Sequence, residues 1–209
     1  YDCPKGLFID SRFVRITDTP PASRKTNLPV KEEIISRLRR AEGVRYVWGG
    51  NISKGVPALI DLYPPQKPVL LAGENRQRWQ LAGLDCSGLL YEATEGWTPR
   101  NTSALVTFGR AVDIEGLSTD SIAGKLRPLD LIVWEGHLLI TLDRGEVIES
   151  RLHCDGRRSG VVISPAKARL QEILRTRSPA NSADIKGRTS KKTFVVRRWD
   201  VDGRQPGRH

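Results

Sequence analysis

The chain has 209 residues, 34 of them basic and 24 acidic, which gives a net charge of +10. This length allows one domain with its own core, and no stretch is long and apolar enough for a membrane span or a signal peptide. The positive charge favours anionic partners, but only 6% of the residues are aromatic and no basic run is interleaved with them. We therefore expect no specific nucleic-acid partner.

The first third of the chain combines one helix with long irregular segments. Residues 1–30 are turn-rich and are interpreted as an N-terminal extension. The stretch VKEEIISRLRRAEG then predicts an amphipathic helix, with acidic residues early, arginines late and a glycine at its end. Residues 51–83 contain four prolines and no clear period, which predicts a long ordered loop. Such a loop either covers a cleft or is an insertion without a role.

The stretch LDCSGLLYEATEG predicts a helix with a cysteine in its first turn. Asp85 suits the N-cap, and apolar residues follow Cys86 at helical spacing until Gly96 ends the pattern. The thiolate is the reactive form of cysteine, and a helix N-terminus stabilises negative charge. The alternative is a small, buried apolar side chain without chemistry. A second short helix is predicted within NTSALVTFG.

From residue 129 onward the pattern changes to short β-rich runs. LDLIVW, HLLITL, EVIES and GVVIS are separated by glycine-containing turns, which predicts an antiparallel meander. A further helix is predicted in PAKARLQEILRTR and a final strand in KTFVVRRW. Because helices come first and strands later, the predicted fold class is α+β, with helices packed on an antiparallel sheet.

Three histidines are available as a base for Cys86. His209 is the last residue, His153 lies in a turn region and His137 opens a strand, so His137 is the preferred base. The alternative for His137 is a hydrogen-bonded structural histidine. No cysteine or histidine cluster has the spacing of a zinc site, and the expected chemistry needs no metal or cofactor.

Hairpin geometry supplies a candidate side chain to orient the imidazole ring. If DRG forms a three-residue loop with its glycine in the left-handed conformation, Leu142 faces Glu146. Glu149 then lies diagonal to His137 on the same face of the sheet, about 7–8 Å away at the backbone, close enough for its carboxylate to reach the ring. A two-residue loop would place Glu149 on the opposite face, as a solvated strand residue.

Four segments stand in a fixed order along the chain: YVWGGN (46–51), LDCSGLLYEA (84–93), PRNTSALVTFG (99–109) and LRPLDLIVWEGHLLITLDRGEVIES (126–150). Together they resemble the NlpC/P60 family of cysteine peptidases. The resemblance covers residues 31–164 as a catalytic domain with an insertion at 51–83, and it leaves 165–209 as a C-terminal extension. It implies a papain-like α+β core in which the nucleophile helix packs on an antiparallel sheet.

By motif match, the resemblance makes Cys86 the nucleophile, His137 the base and Glu149 the third polar residue. Family members often carry histidine at the third position, but glutamate can hold the His137 tautomer and stabilise the imidazolium. Two further departures are PLDL for the usual PGDL and GHLLIT for the usual GHVGIY. The lost glycines could alter the turn and the packing beside the histidine.

The resemblance also implies a substrate, because family members typically hydrolyse peptidoglycan stem peptides. Many cut between D-γ-glutamyl and a diamino acid, commonly meso-diaminopimelate. Tyr46, Asp85 and Ser87 match positions around the pocket for the free amino end of an L-Ala-γ-D-Glu unit. Tyr46 could equally be core packing, and Asp85 could be both helix cap and amine receptor. Arg100 and Ser103, in the motif after the nucleophile helix, are either substrate contacts or structural residues.

The resemblance extends to partners and location. Stem peptides or their fragments are the expected substrates, and the basic surface would attract an anionic cell-wall polymer. The bacterial cell envelope is the favoured location, with cytoplasmic recycling as the alternative. Two other functions stay open: the same three residues acting on another amide or acyl substrate, and a non-catalytic cell-wall-binding module.

Overall fold

The structure, a computed structural model, describes residues 18, 28–65, 71–153, 159–182 and 192–199. The helices in these residues are α1 (Lys31–Arg40), α2 (Ala58–Leu62), α3 (Gly73–Trp79), α4 (Cys86–Ala93), α5 (Thr102–Leu105), α6 (Thr119–Lys125) and α7 (Ala166–Leu174). The strands are β1 (Asn51–Ile52), β2 (Gly83–Leu84), β3 (Arg110–Val112), β4 (Leu131–Trp134), β5 (His137–Thr141), β6 (Glu146–Arg151), β7 (Gly160–Pro165), β8 (Ser178–Pro179) and β9 (Thr193–Arg198). None of the described helices is long and apolar enough to cross a membrane.

The main sheet has the strand order β3-β9-β4-β5-β6-β7, and every neighbouring pair in this row is antiparallel. The short strand β8 pairs with β9 in parallel, outside the row. A separate two-stranded ribbon pairs β1 with β2. The predicted α+β class with an antiparallel sheet is therefore confirmed.

Both faces of the main sheet pack against helices and are buried. Side chains alternate between the two faces along each strand, so neighbouring strand residues belong to different cores. Leu131 and Val133 of β4 belong to one core, together with residues of α1 and α4. Ile132 between them belongs to a second core, which includes residues of α6 and α7. Helix α4 contacts β5 and β6, so the cysteine-bearing helix packs on the sheet as the sequence predicts.

The helices and long strands of the sequence analysis recur in the structure, but the segment 51–83 and α6 differ from the prediction, and the short strands β3 and β8 were not predicted. Residues 51–83 are not one irregular loop, since they include α2 and α3. Neither helix has a buried residue, so neither produces the apolar period on which the prediction depended. Helix α6 was also not predicted; the Ser118 hydroxyl caps it by accepting a hydrogen bond from the Ser121 backbone N–H.

The predicted boundaries of the catalytic domain, residues 31 and 164, stay predictions. The structure does place β9, assigned by sequence to the C-terminal extension, between β3 and β4 inside the main sheet. Helix α7, from the same extension, contributes Leu170 and Ile173 to the second core. The ribbon of β1 and β2 pairs Asn51 with Leu84, so the segment 51–83 leaves the domain and returns to it at neighbouring positions.

Candidate active site

Cys86 is the first residue of α4, and its side chain is 8% exposed. The Asp85 carboxylate caps the helix by accepting a 2.6 Å hydrogen bond from the Gly88 backbone N–H. The Cys86 Sγ lies 4.0 Å from the carbonyl oxygen of Gly136, the residue before the predicted base. The thiol therefore lies in the first turn of a capped helix, where the partial positive charge of the helix end is largest.

The WGG and DCSG motifs hold the start of α4 against the preceding chain. The Asp85 backbone N–H donates to the Gly50 carbonyl at 2.9 Å. The same carbonyl oxygen approaches Gly88 so closely that a Cβ built there would lie 1.9 Å from it. Glycine at position 88 is therefore needed for the close approach of these two segments, and this approach fixes where the thiol lies.

His137 begins β5 directly after the turn that links it to β4. Trp134 pairs with His137 across this turn, and their rings lie 5.1 Å apart at the centroids. The Gly136 backbone N–H donates a 3.0 Å hydrogen bond to the Thr102 hydroxyl of α5. Thr102 thus holds the turn from which the histidine projects. The sequence analysis noted its motif but passed over this residue.

Glu149 reaches His137 through the predicted hairpin register. Ile140 pairs with Ile148, the register that a three-residue DRG loop requires, and Gly145 has a φ of +72°. The Glu149 Oε2 lies 2.7 Å from the His137 Nε2, and the glutamate side chain is 1% exposed. The carboxylate is therefore in place to hold the ring and its protonation state, with the other ring nitrogen left for the thiol.

Arg169 of α7 is a second partner of this buried carboxylate, and the sequence analysis missed it. Its Nε donates to the Glu149 Oε1 at 2.6 Å, and its Nη2 donates to Oε2 at 3.2 Å. The Arg151 Nε lies 3.6 Å from Oε1, beyond a hydrogen bond. Burial raises the pKa of Glu149, but hydrogen bonds from His137 and Arg169 outweigh it and lower the pKa to about 2. Glu149 is therefore a carboxylate at any pH near neutral.

The protonation of His137 follows from its two partners. Burial lowers its pKa, but hydrogen bonding to Cys86 and Glu149, together with the charge of Glu149, outweighs burial and raises the pKa from 6.5 to about 8. The ring therefore carries a positive charge at neutral pH. An imidazolium beside the sulfur is the partner that a catalytic thiolate needs.

Asp85, Ser87 and Arg100 form one ionic cluster beside the nucleophile. Arg100 binds both carboxylate oxygens of Asp85, at 2.7 and 3.0 Å, and its Nη1 also donates to the Ser87 hydroxyl at 2.8 Å. The side chains of Asp85 and Arg100 are 13% and 24% exposed. The carboxylate predicted to receive a substrate amine is thus already paired with a guanidinium, and an amine would have to share it.

Two further predicted residues occupy different environments. Tyr46 pairs with Leu84, and burial raises its pKa, followed by the charges at Cys86 and Asp85. Ser103 is exposed on α5, next to Thr102. Across the described ranges, no group of three or more His, Cys, Asp or Glu side chains is arranged to hold a metal ion.

No family model and no curated protein matches the chain. Solved structures of NlpC/P60 domain proteins do match. The P60 domain of an antigen from M. avium subspecies paratuberculosis is 22% identical over 80% of this chain and 93% of that one, with a TM-score of 0.42. The peptidoglycan hydrolase RipB from Mycobacterium tuberculosis is 22% identical over 80% of this chain and 63% of that one, with a TM-score of 0.43.

A third match is RipD from Mycobacterium tuberculosis, described as a non-catalytic NlpC/p60 domain protein adapted to peptidoglycan binding. It is 20% identical over 66% of this chain and 89% of that chain, with a TM-score of 0.41. This chain spans less than two thirds of RipB. The structural neighbours thus belong to the NlpC/P60 family, the family that the four sequence motifs resemble. They include both a hydrolase and a non-catalytic protein. At these identities and TM-scores they decide neither activity nor substrate.

Proposed function

We propose that the chain is an NlpC/P60-type cysteine peptidase that hydrolyses peptidoglycan stem peptides at the amide bond between D-γ-glutamyl and a diamino acid. The observation that carries the peptidase proposal is the 2.7 Å contact between the buried Glu149 and His137, which directly follows Gly136, the residue whose carbonyl oxygen lies 4.0 Å from the Cys86 Sγ. The choice of bond rests on the resemblance of the four motifs to the family. Location in the cell envelope is part of the same proposal.

The reaction begins with the Cys86 thiolate and the His137 imidazolium as a pair. The sulfur attacks the amide carbonyl carbon, and the carbonyl oxygen becomes an oxyanion. The Cys86 backbone N–H is a suitable donor to it, since N–H groups in the first turn of a helix have no partner within the helix. The imidazolium gives its proton to the leaving amine, and a thioester remains. Neutral His137 then takes a proton from water, and the resulting hydroxide hydrolyses the thioester.

The electrostatic partners of the imidazole support both halves of this cycle. Glu149 remains ionised because Arg169 and His137 both stabilise its negative charge. It can therefore hold one ring nitrogen throughout, while the other nitrogen exchanges a proton with the thiol, the amine and the water. The basic surface, with a net charge of +10, would attract anionic wall polymer, and added salt would weaken that attraction.

The experiment that tests the proposal compares two peptides and two proteins. L-Ala-γ-D-Glu-meso-diaminopimelate and its N-acetylated form are incubated with the wild type and with Cys86→Ala, and the products are weighed by mass spectrometry. We expect cleavage of the free-amine peptide at the γ-glutamyl bond, and none by the variant. Cleavage of both peptides would remove the amine requirement. Cleavage at a different bond of the peptide would show that the enzyme hydrolyses another amide than the one proposed.

A second measurement separates an inactive scaffold from an enzyme given the wrong peptide. The rate at which iodoacetamide alkylates Cys86 at neutral pH is compared between the wild type and His137→Gln. If the histidine holds a thiolate, we expect at least about a tenfold slower reaction in the variant, because a neutral amide stabilises no negative charge. Equal rates, together with no cleavage of either peptide, would refute the peptidase and leave a cell-wall-binding module.

A further inference from the structure

Arg169 is a largely buried cation that lies on α7, beyond residue 164, where the resemblance to the family ends. Its side chain is 16% exposed, and the next residue, Leu170, is fully buried in the second core. Ile173, one turn further along the helix, belongs to the same core. The packing of α7 therefore fixes the position from which the guanidinium extends toward Glu149.

The Glu149 carboxylate is shared between Arg169 and the candidate base. Its Oε1 accepts a 2.6 Å hydrogen bond from the Arg169 Nε, and its Oε2 accepts a 3.2 Å hydrogen bond from the Arg169 Nη2. The same Oε2 lies 2.7 Å from the His137 Nε2. The arginine thus binds both carboxylate oxygens, and such a two-bond contact fixes the plane of a carboxylate as well as its position.

The glutamate side chain does not set this orientation by itself. The last torsion of a glutamate is broad, so its carboxylate plane can turn unless partners hold it. Glu149 is 1% exposed and has almost no contact with bulk water, and its hydrogen-bond partners among the described residues are His137 and Arg169. The orientation of the carboxylate relative to the imidazole therefore depends on the guanidinium.

A second carboxylate holds the guanidinium from its other side. The Arg169 Nη1 donates a 2.7 Å hydrogen bond to the Glu172 Oε2, on the same helix. Glu172 is 52% exposed, whereas Glu149 is buried, so Arg169 bridges a surface carboxylate and a buried one. All three guanidinium nitrogens are thus bound to carboxylates, and turning the group away from Glu149 would break bonds on both sides.

The orientation of the Glu149 carboxylate bears on which nitrogen of His137 carries the proton. A neutral imidazole has one N–H and one acceptor nitrogen. A carboxylate beside Nε2 favours the tautomer with the proton there and leaves Nδ1 as the acceptor. In the proposed reaction Nδ1 is the nitrogen that takes a proton from water, so the other tautomer is unproductive.

We propose that Arg169 is a positioning residue for this reaction, which turns the Glu149 carboxylate toward His137 and so keeps the imidazole proton on Nε2. This inference rests on the proposed function, since it assigns a further residue to the same reaction. Arg169 acts through Glu149, and the catalytic unit extends beyond residue 164 to include α7.

Steady-state kinetics test this role with two substitutions of one side chain. Arg169→Gln removes the charge and the two-bond contact, whereas Arg169→Lys keeps a charge but offers a single donor atom in place of the planar group. On L-Ala-γ-D-Glu-meso-diaminopimelate we expect kcat to fall by about 10- to 100-fold in Arg169→Gln, the range of one hydrogen bond to a charged group, and by less in Arg169→Lys. KM should stay within about twofold of the wild-type value. An unchanged kcat in both variants, or a loss confined to KM, would overturn the proposal.

The matched control is Arg175→Gln, which removes the same charge from an exposed position at the end of α7. It should keep the kcat of the wild type and the tautomer of its His137. A loss of kcat as large as that of Arg169→Gln would assign the effect to the charge of α7 rather than to the contact with Glu149, and would overturn the proposal.

The tautomer itself is measured by ¹⁵N NMR of protein labelled at histidine, which needs no substrate. The chain has three histidines, and His137→Gln identifies the signals of His137. At about pH 9.5, above the His137 pKa of about 8, the wild-type ring should carry its proton on Nε2. Arg169→Gln should add the tautomer protonated on Nδ1, a change that a loss of stability alone would not produce in the folded protein.

The NMR result separates this inference from the proposed function. If Arg169→Gln fails to fold, Arg169→Lys carries the same comparison, and a mixture of tautomers in the wild type would by itself overturn the proposal. An unchanged tautomer in folded Arg169→Gln would overturn it even where the peptide is cleaved and the peptidase proposal stands. If the wild type cleaves no peptide but its tautomer depends on Arg169, the positioning of His137 stands and the peptidase proposal fails.

Discussion

Replacing Glu149 by glutamine should destabilise the fold more than its small change in shape suggests. The carboxylate is 1% exposed and is contacted by His137 and by Arg169, whose side chain is 16% exposed. Glutamine keeps the volume but leaves the guanidinium without its buried anion, so that only the half-exposed Glu172 still pairs with it. Breaking a buried ion pair from one side typically costs about 3–5 kcal/mol, so we expect the free energy of unfolding to fall by about that much. Urea unfolding at pH 6, followed by tryptophan fluorescence, measures it.

The pH dependence of stability tests the same contact from the histidine side. The pKa of His137 rises from 6.5 to about 8 on folding, about 1.5 pH units, and at about 1.36 kcal/mol per unit this is about 2 kcal/mol. A raised pKa gives stability that is fully present below pH 6.5 and is lost as the pH rises through 8. The lowered pKa of Glu149 gives stability that is present above pH 4.5 and is lost as the pH falls toward 2. The wild type should therefore lose about 2 kcal/mol between pH 6 and 9.

In Glu149→Gln this loss should become smaller, because the hydrogen bond and the charge of Glu149 no longer raise the pKa of His137 and only Cys86 opposes the effect of burial. The matched control is Glu172→Gln, which removes the other carboxylate bound to Arg169. That carboxylate is 52% exposed and accepts a 2.7 Å hydrogen bond, so its removal should cost less than about 1 kcal/mol and keep the pH dependence. Equal destabilisation by the two variants, or a wild type equally stable at pH 6 and 9, would refute the electrostatic account.

Two further substitutions test the packing and the charge at the start of α4. Gly88→Ala should lower the thermal unfolding midpoint sharply, because its Cβ would lie 1.9 Å from the Gly50 carbonyl oxygen, whereas Gly124→Ala, which has open space, should raise stability by about 0.5–1 kcal/mol. A harmless Gly88→Ala would disprove the close approach. Asp85→Asn should cost about 1–3 kcal/mol in urea unfolding at pH 7, since it weakens the charged bonds to Arg100, and unchanged stability would show that this pair contributes nothing.

The contact between His137 and Glu149 could be predicted from sequence because it depends on local geometry. A three-residue turn fixes the register of the strands on either side of it, and the register decides which side chains share a face. The observed pairing of Ile140 with Ile148 is the predicted one. The helix at Cys86 was predictable for a similar reason, since the Asp85 cap and the apolar spacing are signals within one helix.

The partners of Glu149 and Asp85 could not be predicted in this way. Arg169 reaches Glu149 because α7 folds back over the strands before it, and Arg100 reaches Asp85 from a loop after the nucleophile helix. Such contacts depend on how elements pack in three dimensions, which neither periodicity nor turn chemistry encodes. The position of β9 was hidden for the same reason, because a strand's sequence does not state which neighbours it will have.

The position of β9 has a consequence for how the protein is made. Its neighbours β3 and β4 are complete before β9 is synthesised, and β9 separates them in the sheet. From Trp134 to Thr193 the ribosome adds about 60 residues, which at 5–20 residues per second takes about 3–12 s. During this interval one edge of β4 has no hydrogen-bonding partner from β9. The nascent chain is therefore exposed to pairing with other chains at this edge, and a chaperone that shields unpaired strands would act on this stage of synthesis.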